Sequence, residues 1–141
     1  MENRALYERG KKTRGQVVGA ERESVIKATE DSFSTPIREL TTKYVWGEVW
    51  SRKGLPRRTR SLLNIGLLTA LKCPEELKTH LRGARNNGCT KTEIREVLMQ
   101  CAVYCGVPAV REAVRCAQQV FAEEKKKKAG RLRREPPVGK Y

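Results

Sequence analysis

The chain has 141 residues, 38% of them hydrophobic and 33% charged, and Lys and Arg outnumber Asp and Glu by 30 to 16. That length fits one domain with its own core but leaves little room for a catalytic cavity enclosed within one subunit, a difficulty that a site shared between subunits removes. The longest nearly apolar run, Leu62 to Leu71, is interrupted by Asn64, Gly66 and Thr69 and is too short to span a bilayer.

The net charge is +14. Eight basic and three acidic residues lie between Glu123 and Tyr141, so the rest of the chain still carries about +9. A basic body attracts nucleic acid, acidic membrane or small anionic substrates, and charge alone does not choose among them. Five cysteines, an odd number with no secretory leader pattern ahead of them, argue against a disulfide framework. Reduced thiols in a cytoplasmic protein are expected.

Glu2 to Lys12 reads as a short polar helix with Leu6 and Tyr7 as its sizeable apolar anchors and no identifiable packing partner. Gly15 and Gly19 interrupt it, and Ser24 to Ala28 holds a further helical turn before the loop Asp31 to Pro36. Residues 1–35 are therefore expected to form a helical arm that covers a neighbouring surface. From Pro36 onward Ile37, Leu40 and Tyr44, then Val45, Trp46, Val49 and Trp50, predict a helix with a widening apolar face.

Gly54 closes a basic loop, and Pro56 suits the first position of the next helix, which runs to about Lys72. Leu62, Leu63, Ile65, Leu67, Leu68 and Leu71 lie on most sides of that helix, so it is expected to be the central buried one. Cys73-Pro74-Glu75-Glu76 restarts a helix, with proline at the first position and carboxylates against the positive end of the dipole; Asn86-Asn87-Gly88 stops it.

Thr90 and Glu93 fit a capping box, and Ile94, Val97, Leu98, Cys101, Ala102 and Cys105 follow as a stripe at intervals of three and four. Gly106 ends that helix and Pro108 opens the last one, with Val110, Ala113, Val114, Ala117, Val120 and Phe121 inward. The pattern dissolves at Lys125 to Lys128, and residues 124–141 are expected to be a disordered basic tail or one pinned on a partner. No segment alternates as a strand, which makes the fold class all-α with about six or seven helices.

His80 is the single histidine and lies near the inward face of its helix, between Leu77, Leu81 and Ala84. A histidine there is more often a satisfied core residue than a catalyst, yet near neutral pH it is the natural acid or base. Arg57, Arg58 and Arg60 crowd one helical turn, and Arg82 and Arg85 follow His80. Singly they read as a solvated face; together they offer the guanidinium forks that a small dicarboxylate needs. Trp46, Trp50 and Tyr104 read first as core or interface anchors and second as walls of a ligand pocket. Glu48 would handle protons if buried, and is merely wet on the opposite helical face. No Cys-x-x-Cys occurs and one histidine cannot complete the usual zinc sets, so no metal site is expected. Cys73, at a helix start, is open to acidification by the dipole, although a structural role is the simpler reading.

Five blocks occur in order: Tyr44-Val45-Trp46-Gly47-Glu48-Val49-Trp50, then Gly54-Leu55-Pro56-Arg57-Arg58-Thr59-Arg60-Ser61-Leu62-Leu63, Glu75-Glu76-Leu77-Lys78-Thr79-His80-Leu81-Arg82, Asn86-Asn87-Gly88 and Ala102-Val103-Tyr104-Cys105-Gly106-Val107-Pro108-Ala109. They resemble the 4-carboxymuconolactone decarboxylase family, over about Tyr7 to Glu123. The resemblance implies an alkyl hydroperoxidase D-like helical domain, here residues 36–123, assembling as a ring-like homo-oligomer, a hexamer or trimer, with sites between subunits.

In the peroxidase-partner branch of that superfamily the signature is Cys-x-x-Cys-x-x-x-His with a glutamate upstream. Here Cys73, Glu76 and His80 fall on the Cys, Cys and His positions, and the upstream glutamate position falls on Ser61. A disulfide relay needs both thiols, so the loss of one argues against it. The decarboxylase branch keeps the histidine without the pair.

The resemblance implies cofactor-free decarboxylation of 4-carboxymuconolactone to 3-oxoadipate enol-lactone, in aromatic-compound catabolism. His80 and Glu48 are the catalytic candidates, and Arg57, Arg60, Arg82, Trp46, Trp50 and Tyr104 the substrate-binding ones. The same scaffold acting on another acidic lactone or keto acid is the second expectation, and a non-catalytic basic binding protein a distant third. No cofactor, specific nucleic acid or membrane partner is expected.

Overall fold

The structure is a computed structural model and describes residues 2–134. Seven α-helices follow one another: α1 (Glu2–Val18), α2 (Ala20–Ala28), α3 (Thr35–Thr41), α4 (Arg57–Ala70), α5 (Pro74–Asn86), α6 (Lys91–Cys105) and α7 (Val107–Leu132). Helix α3 runs directly into a π-helical stretch, Thr42–Val49. Among the described residues there is no strand, and no helix is long and apolar enough to cross a membrane.

Local chemistry accounts for most of the boundaries. Pro74 opens α5 with Glu75 and Glu76 in its first turn. Thr90 and Glu93 close a reciprocal capping box at the start of α6. Gly106, at φ 87°, turns the chain from α6 into α7, and Gly19, at φ 88°, separates α1 from α2. Gly15 does not interrupt α1, which runs six residues past Lys12 to Val18.

Two buried clusters hold the helices together. Ile65, Leu77, Leu81, Ile94, Leu98, Ala113, Ala117 and Val120 form the larger one, where α4, α5, α6 and α7 meet. Val17, Val18, Trp46 and Trp50 form the other. The N-terminal arm therefore has its partner within the same chain, because α1 packs against the π-helical stretch and against α5. The crossing is close. A Cβ on Gly47 would lie 2.5 Å from the Leu6 carbonyl oxygen, and one on Gly10 would run into the carbonyl of Thr42. Arg9 Nε donates to the Gly47 carbonyl at 2.8 Å, and the hydroxyls of Thr13 and Ser51 are 3.0 Å apart.

Two sequence expectations about burial fail. Helix α4 is not buried all round: Ser61, Ile65 and Thr69 are buried, whereas Leu63, Leu67 and Leu71 are exposed. Helices α5 and α6 cover neighbouring faces of α4 and leave the third open, a division that apolar content alone does not reveal. Ile37, Leu40 and Tyr44, on α3 and the start of the π-helical stretch, are likewise exposed, together with Phe33.

The basic segment also departs from expectation. Helix α7 continues to Leu132, beyond the point where its apolar pattern ends. Ion pairs from Glu123 to Arg82, Glu124 to Arg85 and Lys127 to Glu21 tie this extension to α5 and α2. The remainder of the expected tail, residues 135–141, lies outside the described residues.

Candidate active site

His80 sits on α5 against the two indoles of the π-helical stretch. Its ring centroid is 6.2 Å from Trp46 at an interplanar angle of 6°, and 6.0 Å from Trp50 at 23°. The indoles stack on each other at 5.1 Å and 29°. Both tryptophans are buried and His80 is half-buried. Burial pushes the His80 pKa below the ordinary histidine value, and the carboxylate of Glu76, one turn earlier on α5, opposes that shift.

The π-helical stretch presents this aromatic pair. The Trp50 N–H reaches back five residues to the Val45 carbonyl at 2.8 Å, the signature of the wider helix. Ser51 Oγ donates to the Trp46 carbonyl at 2.7 Å, and α1 braces the same stretch from outside through Gly10 and Gly47.

Helix α4 supplies the polar side of the site. Asn64 Nδ2 lies 3.3 Å from His80 Nδ1. Arg57, Arg60 and Asn64 recur at i, i+3 and i+7 and so share one face of α4. Arg60 therefore stands about 6 Å along the axis from the residue that touches the histidine. Its Nε is buried without a hydrogen-bond partner among the described residues, while its Nη2 reaches the Arg52 carbonyl at 3.5 Å. Arg57 Nη1 donates to Gln16 Oε1 of α1 at 2.8 Å. Arg58 points to another face of α4, where it pairs with Glu93.

Three expected site residues are not brought to His80 within this chain. Arg82 follows His80 by two residues, about 200° around the helix, and its Nε and Nη2 donate to Glu123 at 3.1 and 2.9 Å. It lines a different cavity, of about 750 Å³, between the α1–α2 junction, α5 and α7, which His80 and the tryptophans do not reach. Tyr104, near the end of α6, is 78% exposed. Glu48 is exposed in this chain and has no hydrogen-bond or ion-pair partner among the described residues. Cys73 is half-buried, with its Sγ 3.6 Å from the Leu71 carbonyl oxygen.

The sequence profile of the carboxymuconolactone decarboxylase family matches residues 36–119, a span that contains the whole aromatic and polar cluster around His80. The chain belongs to the carboxymuconolactone decarboxylase family. It is similar to a 4-carboxymuconolactone decarboxylase of Acinetobacter baylyi, at 38% identity over 87% of this chain and 92% of that protein. It is also similar to a nitrosuccinic acid decarboxylase of Metarhizium robertsii, at 44% identity over 84% of this chain and 83% of that protein.

In this carboxymuconolactone decarboxylase family member, sequence reasoning missed Asn64 and the bracing residues of α1. Asn64 had one signal, its place as a polar residue inside an otherwise apolar run. Arg9, Gly10 and Thr13 had none, because their contacts join residues 32 to 38 positions apart.

Proposed function

We propose that this chain decarboxylates 4-carboxymuconolactone to 3-oxoadipate enol-lactone without a cofactor, as a cytoplasmic step of aromatic-compound catabolism. The chain is an enzyme of the carboxy-lyase class, as its family and its two decarboxylase relatives have it. The observation that carries the reading is the cluster around His80: an imidazole with a lowered pKa against two buried indoles, with Arg57 and Arg60 on the adjoining face of α4.

The departing carboxylate of this lactone sits on a ring carbon joined through a double bond to the lactone carbonyl. When the bond to the carboxylate breaks, its electron pair spreads to the carbonyl oxygen as a dienolate, and a proton then joins carbon. Trp46 and Trp50 provide an apolar wall that favours loss of the charged group as carbon dioxide. Arg60, with a buried and unpartnered Nε, and Arg57 hold substrate carboxylates. His80 works at the reacting end as proton donor or relay, or as a donor to the oxyanion. The net charge of the chain, +14, draws a dianionic substrate towards the protein.

Apolar faces stand open on α3, α4 and α6. Leu63, Leu67 and Leu71 on α4 and Met99, Val103 and Tyr104 on α6 suit burial against a second copy of the chain. We infer a ring-like homo-oligomer whose neighbouring subunit completes the site.

The 44% identity to a nitrosuccinic acid decarboxylase favours a second reading, a nitro-substituted dicarboxylic acid as substrate. Both substrates carry two carboxylates and an acceptor group that takes up the electrons left by carbon dioxide, the lactone carbonyl in one and the nitro group in the other. The test supplies each compound to the purified full chain and follows substrate loss and carbon dioxide release, with His80→Ala alongside. Turnover of the lactone that is lost in His80→Ala is the expected result. Turnover of nitrosuccinate alone selects the second reading, and lactone turnover that survives His80→Ala removes His80 from the reaction.

A further inference from the structure

The contact between α4 and α5 says more about His80 than its position. The atom of Asn64 that faces Nδ1 is the amide nitrogen, at 3.3 Å, and an amide N–H only donates. With the amide donating, the receiving ring nitrogen carries no proton, and the single proton of a neutral imidazole is then on Nε2. His80 Nε2 has no hydrogen-bond partner among the described residues and is not sealed from solvent, so it is open to a ligand. The two indoles pack against the ring with centroids 6.2 and 6.0 Å away and make no hydrogen bond to either of its nitrogens among the described residues, so they do not tell its two edges apart. Only an in-plane partner distinguishes Nδ1 from the carbon across the ring.

Resting on the reading of His80 as the reacting residue, we propose that Asn64 is a positioning residue that holds His80 as the Nε2–H tautomer and presents that N–H to the substrate. The tautomer narrows the part His80 plays. A neutral ring with its proton on Nε2 meets the developing oxyanion as a hydrogen-bond donor. Passage of a proton across the ring, in at Nδ1 and out at Nε2, is blocked by the amide. As the carbon–carboxylate bond breaks, its electron pair moves to the acceptor oxygen facing Nε2–H and carbon dioxide leaves. The proton that joins carbon is drawn from water.

Because the chain has a single histidine, its imidazole can be read without assignment. The experiment is a long-range proton–nitrogen correlation spectrum of the uniformly nitrogen-15-labelled full chain near neutral pH, for wild type, Asn64→Leu and Asn64→Asp. Wild type is expected to show a pyrrole-like Nε2 and a pyridine-like Nδ1. Asn64→Leu is expected to lose that single-tautomer pattern. Asn64→Asp, whose carboxylate accepts, is expected to move the proton to Nδ1; it keeps the comparison available if the leucine variant does not fold. An Nδ1–H tautomer in wild type overturns the proposal, as does a folded variant of either kind that keeps the wild-type pattern.

Activity is read separately. Asn64→Leu or Asn64→Asp is expected to lower kcat roughly ten- to a hundredfold with KM little changed. If wild type turns over neither the lactone nor nitrosuccinate, the proposed reaction fails, while the spectra still decide what Asn64 does to the histidine.

Discussion

The imidazole of His80 lies nearly parallel to the indole of Trp46, 6° between planes and 6.2 Å between centroids, so a residue of α5 and a residue of the π-helical stretch share one aromatic cluster. The lowered pKa of His80 depends on that burial. Trp46→Ala removes the more nearly parallel wall and admits water. The pKa of His80 is then expected to rise towards the ordinary value, and stability to fall by about 3–5 kcal/mol, as for other buried aromatic truncations. A titration of the histidine resonance and a urea unfolding curve check the two effects.

Acid stability follows from the same shift. The His80 pKa is lowered in the folded protein, mainly by burial, so the native state binds fewer protons than the unfolded chain once the pH falls below the ordinary value of 6.5. The stability this group contributes is present above that value and is lost as the pH falls through the folded pKa. His80→Gln lacks the titration. Between about pH 8 and about pH 5, wild type is expected to lose more stability than His80→Gln, as read from urea midpoints.

Arginines that look equivalent in the sequence should separate. Arg60→Ala is expected to cost roughly a hundredfold in kcat/KM, the scale of a lost charge-assisted contact in a water-poor site. Arg58→Ala and Arg82→Ala remove partly exposed ion pairs to Glu93 and Glu123, so each should change stability by no more than about 1 kcal/mol and leave activity close to wild type. Steady-state kinetics with matched unfolding curves compares the three.

The crossing of α1 over the π-helical stretch leaves no room for side chains at two glycines. Gly10→Ala and Gly47→Ala each force backbone to move, at an expected cost of more than about 2 kcal/mol, and they displace Trp46 and Trp50. Gly54→Ala serves as control, because nothing lies within 4 Å of the added methyl. Unfolding curves with tryptophan fluorescence distinguish them.

Assembly is testable through the exposed leucines. Leu67→Glu places a charge in the open face of α4 and is expected to shift sedimentation to a smaller species without loss of helical content. If the neighbouring subunit completes the site, activity falls in step with dissociation.

The sequence by itself determined where α5 and α6 start and stop and where α7 starts. Thr90 with Glu93, Pro74 with its following glutamates, Gly88 and Gly106 act within a turn of their own position, so they mean the same thing in any fold. The family blocks and His80 were legible for a similar reason, since motif order survives without coordinates. Which face of α4 stays open, what α1 covers and why Asn64 interrupts an apolar run were decided by the tertiary structure alone. Those answers rest on contacts between residues far apart in the chain, such as Asn64 with His80 and Gly10 with Thr42, and on the angle at which one helix crosses another. An amphipathic pattern tells a helix to bury a face; it does not carry the identity of the surface that covers it.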